Sequence, residues 1–362
     1  MAGRLTRRDV LRRGAGAVFA TGCAALGGYL LHDPHGRRGL GTRAQSVRRL
    51  PNYFADVGFP GQNPRMSMAM GDVQRMEQVV RAAIGGLDPD KGMRRFIRRG
   101  DVVLIKPNVG FDRPPALGAT THPEVLRWVI RLCREAGTRR ILVTDHPIES
   151  PAACFARTGI SRVVEEEGAE ILLPAQRHFA EVGVRDCEPD RGLGEVLHHW
   201  PMLHAPLAEA TKVIGVAPVK DHNLASASMN LKNWYGLLGE RRSRFHQAIH
   251  ETISDLALLM SPTLVVADAT RVMMRNGPTG GRLSDISPGG VLGRPTVVAS
   301  VDPVACDAWC YENLLGRDPD RLAYLGLARD KIRARVVEGE ARFGESDWRA
   351  YDARGLVTMV NV

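Results

Sequence analysis

The sequence predicts an α/β fold: three layers, a mostly parallel sheet with helices on both faces. Three observations predict it. The composition, 44% hydrophobic and 25% charged over 362 residues, is that of a globular chain with a large core. Short apolar runs of four to six residues recur along the chain. Helical patterns separate most of those runs, which is how parallel strands buried on both faces are written. Aromatic residues make up only 6%, so the core is expected to be aliphatic.

The chain opens with a basic leader, residues 1–36. Thr6-Arg7-Arg8-Asp9-Val10-Leu11-Arg12 resembles a twin-arginine export motif, and Gly14 to Leu31 is an uncharged, glycine-rich run. Ala20-Thr21-Gly22-Cys23 is a weak lipobox, and Thr42-Arg43-Ala44 is an alternative cleavage site. Uncut, the 18-residue run is near the lower limit for spanning a bilayer and would tether the protein. The expected location is the periplasm, or the outer side of the cytoplasmic membrane with membrane contact only through this signal. Twin-arginine export carries folded proteins, often with a cofactor already loaded.

Residues 37–70 read as a linker and lead-in segment, and 71–362 as a single α/β domain with its core at about 95–330. "DVQRMEQVVRAAIGGL" (72–87) has helical apolar spacing and ends in two glycines. "DVVLIKPN" (101–108) is the first strand, and "HPEVLRWVIRLCREAG" (122–137) is a helix. Thr121 to Glu124 fits a capping box at the helix start. "RILVTDHP" (140–147), "AEILLP" (169–174), "TKVIGVAPVK" (211–220), "PTLVVADAT" (262–270) and "RPTVVASVDP" (294–303) continue the strands. Further helices are expected over 248–260 and 303–315.

The net charge of +9 suggests a polyanion partner, but its distribution does not. Residues 1–13 and 14–49 each carry +4, leaving +1 for residues 50–362. A nucleic-acid surface needs the charge on the folded domain, so that class is excluded.

The functional expectation rests on the polar residues that end the apolar runs. Lys106 and Asn108, Asp145 and His146, Lys220, Asp221 and His222, Asp268, and Asp302 all stand at expected strand ends. Open α/β sheets bind ligands at the carboxyl ends of their strands. The chain has six lysines against 43 arginines, yet Lys106, Lys220 and Lys232 fall in this crevice. Lysine is a compact charge whose pKa falls on burial, suited to clamping an anion, moving protons or forming an imine. The expected catalytic set is Lys106, Lys220, His222 and Lys232. Asp145, His246, Asp268 and Asp302 are the expected metal set, with a divalent metal as the cofactor. His246 and His250 are spaced i, i+4, but "HQAIH" lacks the glutamate of a zincin. "NGPTGGR" (276–282) matches no phosphate loop and is expected to flank the crevice through Gly277 and Gly280. Cys306 and Cys310 read as small side chains facing the sheet. No C-x-x-C occurs, so no iron–sulfur or zinc-ribbon motif is encoded.

Seven ordered segments carry a resemblance: "LIKPNVG", "ATTHPEVLRWVIRLCREAG", "VTDHP", "APVKDHNLASASMNLKNWYGLLG", "FHQAIHETISDLALLMSPTLVVADAT", "NGPTGG" and "VVASVDPVACDAW". Together they resemble the domain of unknown function 362 family, over about residues 95–330. The resemblance points to Lys106, Asn108, His122, Asp145, Lys220, His222, Lys232, Asn233, Gly236, His246, Asp268, Asp302 and Asp307. Asn108, Asn233 and Gly236, with Gly277 and Gly280, are the expected cofactor contacts. Members are often fused to ferredoxin-type modules, which implies redox work. Lacking the cysteines, this chain would need a separate redox partner protein. The expected function is an exported protein binding a metal or an anionic cofactor. A non-catalytic accessory or cofactor-delivery module and a hydrolase of anionic substrates are the alternatives.

Overall fold

The computed structural model describes residues 47–183, 196–334 and 344–362. The expected export motif, Cys23 and the expected cleavage site at Ala44 lie outside the described residues. Residues 46–362 form one unit. Its strands are β1 (Met66–Met70), β2 (Val102–Pro107), β3 (Arg140–Val143), β4 (Glu170–Ile171), β5 (Phe179–Gly183), β6 (His199–Leu203), β7 (Lys212–His222), β8 (Ser226–Ser228), β9 (Leu264–Met273), β10 (Ile286–Ser287), β11 (Thr296–Ser300) and β12 (Val357–Asn361).

The main sheet runs β12-β1-β11-β9-β7-β2-β3-β4, with short β8 and β10 added to β7 and β9. β4, β3, β2, β7 and β9 are all parallel, as are β1 and β12. β11 alone on this path is antiparallel to both its neighbours. β5 and β6 form a separate hairpin. The α/β class and the mostly parallel sheet are therefore as the sequence predicts.

The strands bury both faces by their two-residue period. Val103, Ile105, Val143, Ile214 and Val266 face a core shared with helices Met76–Gly85, Pro123–Glu135 and Ile160–Glu166. Leu104, Leu142, Val213, Val265 and Ala267 face the opposite core, shared with helices Ile249–Leu259, Pro303–Asn313 and Ala323–Ala334. Burying each such aliphatic side chain is worth about 1.5–3 kcal/mol against leaving it in water. Helices on both faces complete the three layers.

Several elements differ from expectation. Residues 66–70, read as the end of a lead-in, form β1 inside the sheet. Its Met-Ser-Met-Ala-Met sequence has no β-branched residue to announce a strand. The helix at Pro123 is capped by His122, whose Nδ1 accepts from the Glu124 amide, and not by a Thr121 box. Thr121 instead donates its hydroxyl to the Val216 carbonyl, tying the helix start to β7. Among the described residues no helix is long and apolar enough to cross a membrane.

Candidate functional site

A cavity of about 520 Å³ opens at the carboxyl ends of β2, β3 and β7. That volume suits one small ligand. Lys106, Asp145, Lys220 and His222 reach it from the strand ends, with Asn108 just beyond β2. Lys232, Asn233, Tyr235 and Gly236 reach it from the short helix Asn230–Asn233 and the adjoining 3₁₀ turn. Glu240, Arg242 and His246 close one side. The short helix is fixed from below by Asp307, whose carboxylate accepts from the Asn230 and Leu231 amides at 2.9 and 3.0 Å. Burial pushes the Asp307 carboxyl up to about 7.

Lys106 is fully partnered. Its ammonium donates to Asp145 Oδ1 at 2.7 Å, Asn233 Oδ1 at 2.9 Å and the Pro107 carbonyl at 2.8 Å, using all three protons. Asn233 returns a bond from Nδ2 to the Lys106 carbonyl, and the Asn108 amide reaches the same Asn233 oxygen at 3.5 Å. Asp145 accepts from the His146 amide on Oδ1 and from the Val109 amide on Oδ2. Burial lowers the Lys106 pKa, and Asp145 opposes that. Gly236 is where it is because the pair leaves no room: a Cβ there would lie 2.2 Å from Asp145 Oδ1.

Lys220 and Lys232 are partnered differently. Lys220 is buried, donates to the Ala119 carbonyl and lies 5.0 Å from the centre of the Phe111 ring. Lys232 lies 5.2 Å from the centre of the Tyr235 ring. Among the described residues neither forms an ion pair with a carboxylate, whereas the buried Lys212 and Lys331 pair with Asp56 and Asp255. Burial, then the Lys232 charge, pushes Lys220 well below its ordinary pKa. Burial, then Arg242 and Lys106, pushes Lys232 down to about 7. Arg242 donates to the His146 and Leu238 carbonyls at 2.6 and 3.4 Å, and its guanidinium keeps its charge at neutral pH.

Burial holds the cavity histidines His146, His222 and His246 below their ordinary pKa. Nδ1 of His222 accepts from the Leu224 and Ala225 amides, so its proton sits on Nε2. Burial, reinforced by the Lys232 charge, lowers its pKa to about 2. Nδ1 of His146 contacts the Leu238 carbonyl at 2.9 Å and so carries the proton, leaving Nε2 as an acceptor. His246 stacks on Tyr235 with ring centres 5.8 Å apart. His250 stacks on Tyr324 instead and does not line the cavity. The i, i+4 spacing fails to align them because His246 lies in a 3₁₀ stretch, Arg242–Ala248, and the α-helix begins only at Ile249.

The four residues of the expected metal set are not brought together. Asp145 and His246 line the cavity; Asp268 and Asp302 do not. Asp268 lies within β9, which runs on to Met273, and both its oxygens are occupied by the His122 amide and by the Thr270 amide and hydroxyl. Asp302 is corrected outright. Because β11 is antiparallel, Ser300 pairs with Val265 at the start of β9, so Asp302 stands at the opposite edge of the sheet. There it caps helix Pro303–Asn313 and accepts from the amides of Val304, Ala305, Gly344 and Glu345 and the Tyr351 hydroxyl. Among the described residues no group of three or more His, Cys, Asp or Glu side chains is placed to hold a metal ion. The described cysteines, Cys133, Cys154, Cys306 and Cys310, are buried, and none lines the cavity.

Gly277 and Gly280 flank the cavity without lining it; their neighbour Pro278 does. The Gly277 amide donates to Asp221 Oδ2, and a Cβ at Gly277 would meet the Asp221 carbonyl oxygen at 1.8 Å. Asp221 also pairs with Arg317, which holds this loop to β7. Sequence reasoning missed Arg242, Tyr235 and Phe111. Nothing in the run Arg241 to Arg244 marks which arginine turns inward. Adjacency to the expected crevice was the available signal.

Similarity to known proteins is modest in sequence and in fold. Over 231 residues, 61% of this chain and 67% of the relative, the sequence is 27% identical to the thylakoid-associated protein sll1697 of Synechocystis. Among solved structures, the lactate racemase apoprotein from Thermoanaerobacterium thermosaccharolyticum aligns with a TM-score of 0.33 and 14% identity over 59% of this chain. A Thermotoga maritima protein aligns with a TM-score of 0.31 and 12% identity over 71% of it. The chain spans 52% and 59% of those two structures. A family model matches residues 103–312, more than half of the chain, and the protein therefore belongs to the family described as Domain of unknown function (DUF362).

Proposed function

We propose that this protein binds an anionic small molecule, a cofactor or substrate bearing a carboxylate or phosphate, in the 520 Å³ cavity. The observation that carries the reading is an imbalance of charge. Lys106, Lys220, Lys232 and Arg242 face the cavity, and among the described residues the carboxylates lining it are Asp145, spent on Lys106, and Glu240. Two lysines in the cavity wall without a carboxylate partner among the described residues carry a charge there only at a cost, and an anion would offset that cost. Lys220 and Arg242 are the expected anion ligands, with Lys232 beside them in the cavity wall. The Lys106–Asp145–Asn233 cluster holds the wall they project from.

A divalent metal does not fit. A cation would meet four basic side chains and, among the described residues, no group of three or more His, Cys, Asp or Glu side chains placed to hold it.

Calorimetric titration with inorganic phosphate and pyrophosphate tests the reading. The expected result is saturable binding with proton uptake near neutral pH, weakened at least about tenfold in Lys220→Ala and Arg242→Ala, about 1.4 kcal/mol per tenfold. Absence of binding to any anion in the folded protein would overturn it.

Export is the second part of the proposal, supported by Arg7-Arg8 ahead of the uncharged 18-residue run. Redox work beside a separate iron–sulfur protein belongs to the same reading as an expectation from the family membership. An Arg7→Lys/Arg8→Lys variant is expected to stay in the cytoplasm in a fractionation assay; export at the ordinary level would refute this part.

A further inference from the structure

Of the six lysines, Lys232 stands apart. Lys106, Lys212 and Lys331 are buried against carboxylates. Lys220 is buried and its Nζ donates to a backbone carbonyl. Lys91 lies on the surface. Lys232 alone is part-buried, faces the cavity and rests on an aromatic ring without an ion pair among the described residues. A lysine in such surroundings is the ordinary nucleophile of carbonyl chemistry.

We propose that Lys232 forms an imine with a carbonyl compound that also carries a carboxylate or phosphate. The inference rests on the anion-binding reading, because Arg242 and Lys220 would seat the charged end. The division of labour comes from the side chains. Arg242 is a fixed cation, held by two backbone carbonyls. Lys232, which burial, Arg242 and Lys106 bring down to about 7, has a free-amine fraction at neutral pH about a thousandfold above that of an ordinary lysine. An anion whose charge is matched by Arg242 leaves Lys232 its lone pair. That lone pair adds to the carbonyl carbon, and one Nζ proton passes to the carbonyl oxygen to give a carbinolamine. The nitrogen then expels that oxygen as water, taking the second Nζ proton with it. The step is redox-neutral and needs no co-reactant. Nε2 of His146 and the ring of His246, stacked on the same Tyr235 that Lys232 rests on, are the cavity groups able to relay those protons.

Pyridoxal 5′-phosphate, an aldehyde with a phosphate, serves as the probe. The full chain is incubated with it at neutral pH, reduced with borohydride and mapped by peptide mass spectrometry. The expected result is one dominant adduct on Lys232, at least about tenfold over the exposed Lys91, which lines no part of this cavity. Inorganic phosphate should suppress it. Lys91→Ala should leave it in place, and Lys232→Ala, checked by its melting curve, should abolish it. If phosphate binds by calorimetry but Lys232 is not labelled preferentially, the imine is overturned and the anion site stands. If no anion binds, the underlying reading falls as well. Labelling concentrated on Lys220 would also overturn the assignment.

Discussion

The two edges of the sheet hold buried charge in opposite ways. At one edge Asp302 is surrounded by donors: four backbone amides and the Tyr351 hydroxyl meet one carboxylate. At the other, Lys220 and Lys232 have a carbonyl and two aromatic rings between them. Buried charge that is fully hydrogen-bonded holds elements in place. Buried charge that is not is costly to the fold and is available to a ligand. The contrast separates scaffold from candidate site more sharply than burial does, since Asp302 and Lys220 are equally buried.

The largest expected effect breaks the saturated edge. Asp302→Ala leaves five donors facing a void and removes the cap of helix Pro303–Asn313. It should cost several kcal/mol, about 3–5 by analogy with a broken buried ionic contact. Urea unfolding measures this. Phosphate binding by whatever fraction still folds should be nearly unchanged, because Asp302 is at the far edge. Loss of binding with full stability would reverse the two edges' roles.

A smaller effect is expected at the boundary between the two behaviours. Lys106 belongs to the cavity by position but to the scaffold by bonding. Gly236→Ala drives a methyl group into Asp145 Oδ1 and toward Lys106 Nζ. Overpacking of this kind costs about 1–3 kcal/mol. Because Gly236 and Tyr235 share one turn, the shift should also weaken phosphate binding. A Gly236→Ala protein with wild-type stability and affinity would mean that the turn moves aside at little cost.

How much of this is legible in the sequence depends on strand direction. The polar residues after each apolar run are readable, and for β2, β3 and β7 they do meet at one edge. Asp302 looks the same in sequence and lies elsewhere, because nothing local in "RPTVVASVDP" says that its strand runs antiparallel. Asp268 misleads for a related reason: β9 continues past it, so a polar residue there does not mark the strand's end. The Lys232–Gly236 turn is legible from its unusual mixture of residues. Arg242 is not, since only the 3₁₀ geometry of Arg242–Ala248 distinguishes it from the arginines beside it. β12 and the β5–β6 hairpin carry no strong periodic signal, and both are placed by tertiary pairing.

The finest test of the comparison is a pH dependence. Lys232 titrates at about 7 in the folded protein, lowered first by burial and then by Arg242 and Lys106. In the unfolded chain it returns to about 10.4. Between these values the unfolded state binds more protons, so stability should rise with pH. Below about 7 the folded protein carries the full cost of the ammonium, and only above about 10.4 does it carry none. Lys232→Met should therefore melt higher than wild type near neutral pH, with the advantage shrinking as pH approaches 10. Lys220, His222 and His246 share the cavity and are pushed down by the Lys232 charge, so the difference between the two melting curves reports Lys232 together with its effect on those three groups. A Lys232→Met protein that melts lower than wild type at every pH would make Lys232 a scaffold residue like Lys106, and the contrast between the two edges would end at Lys220.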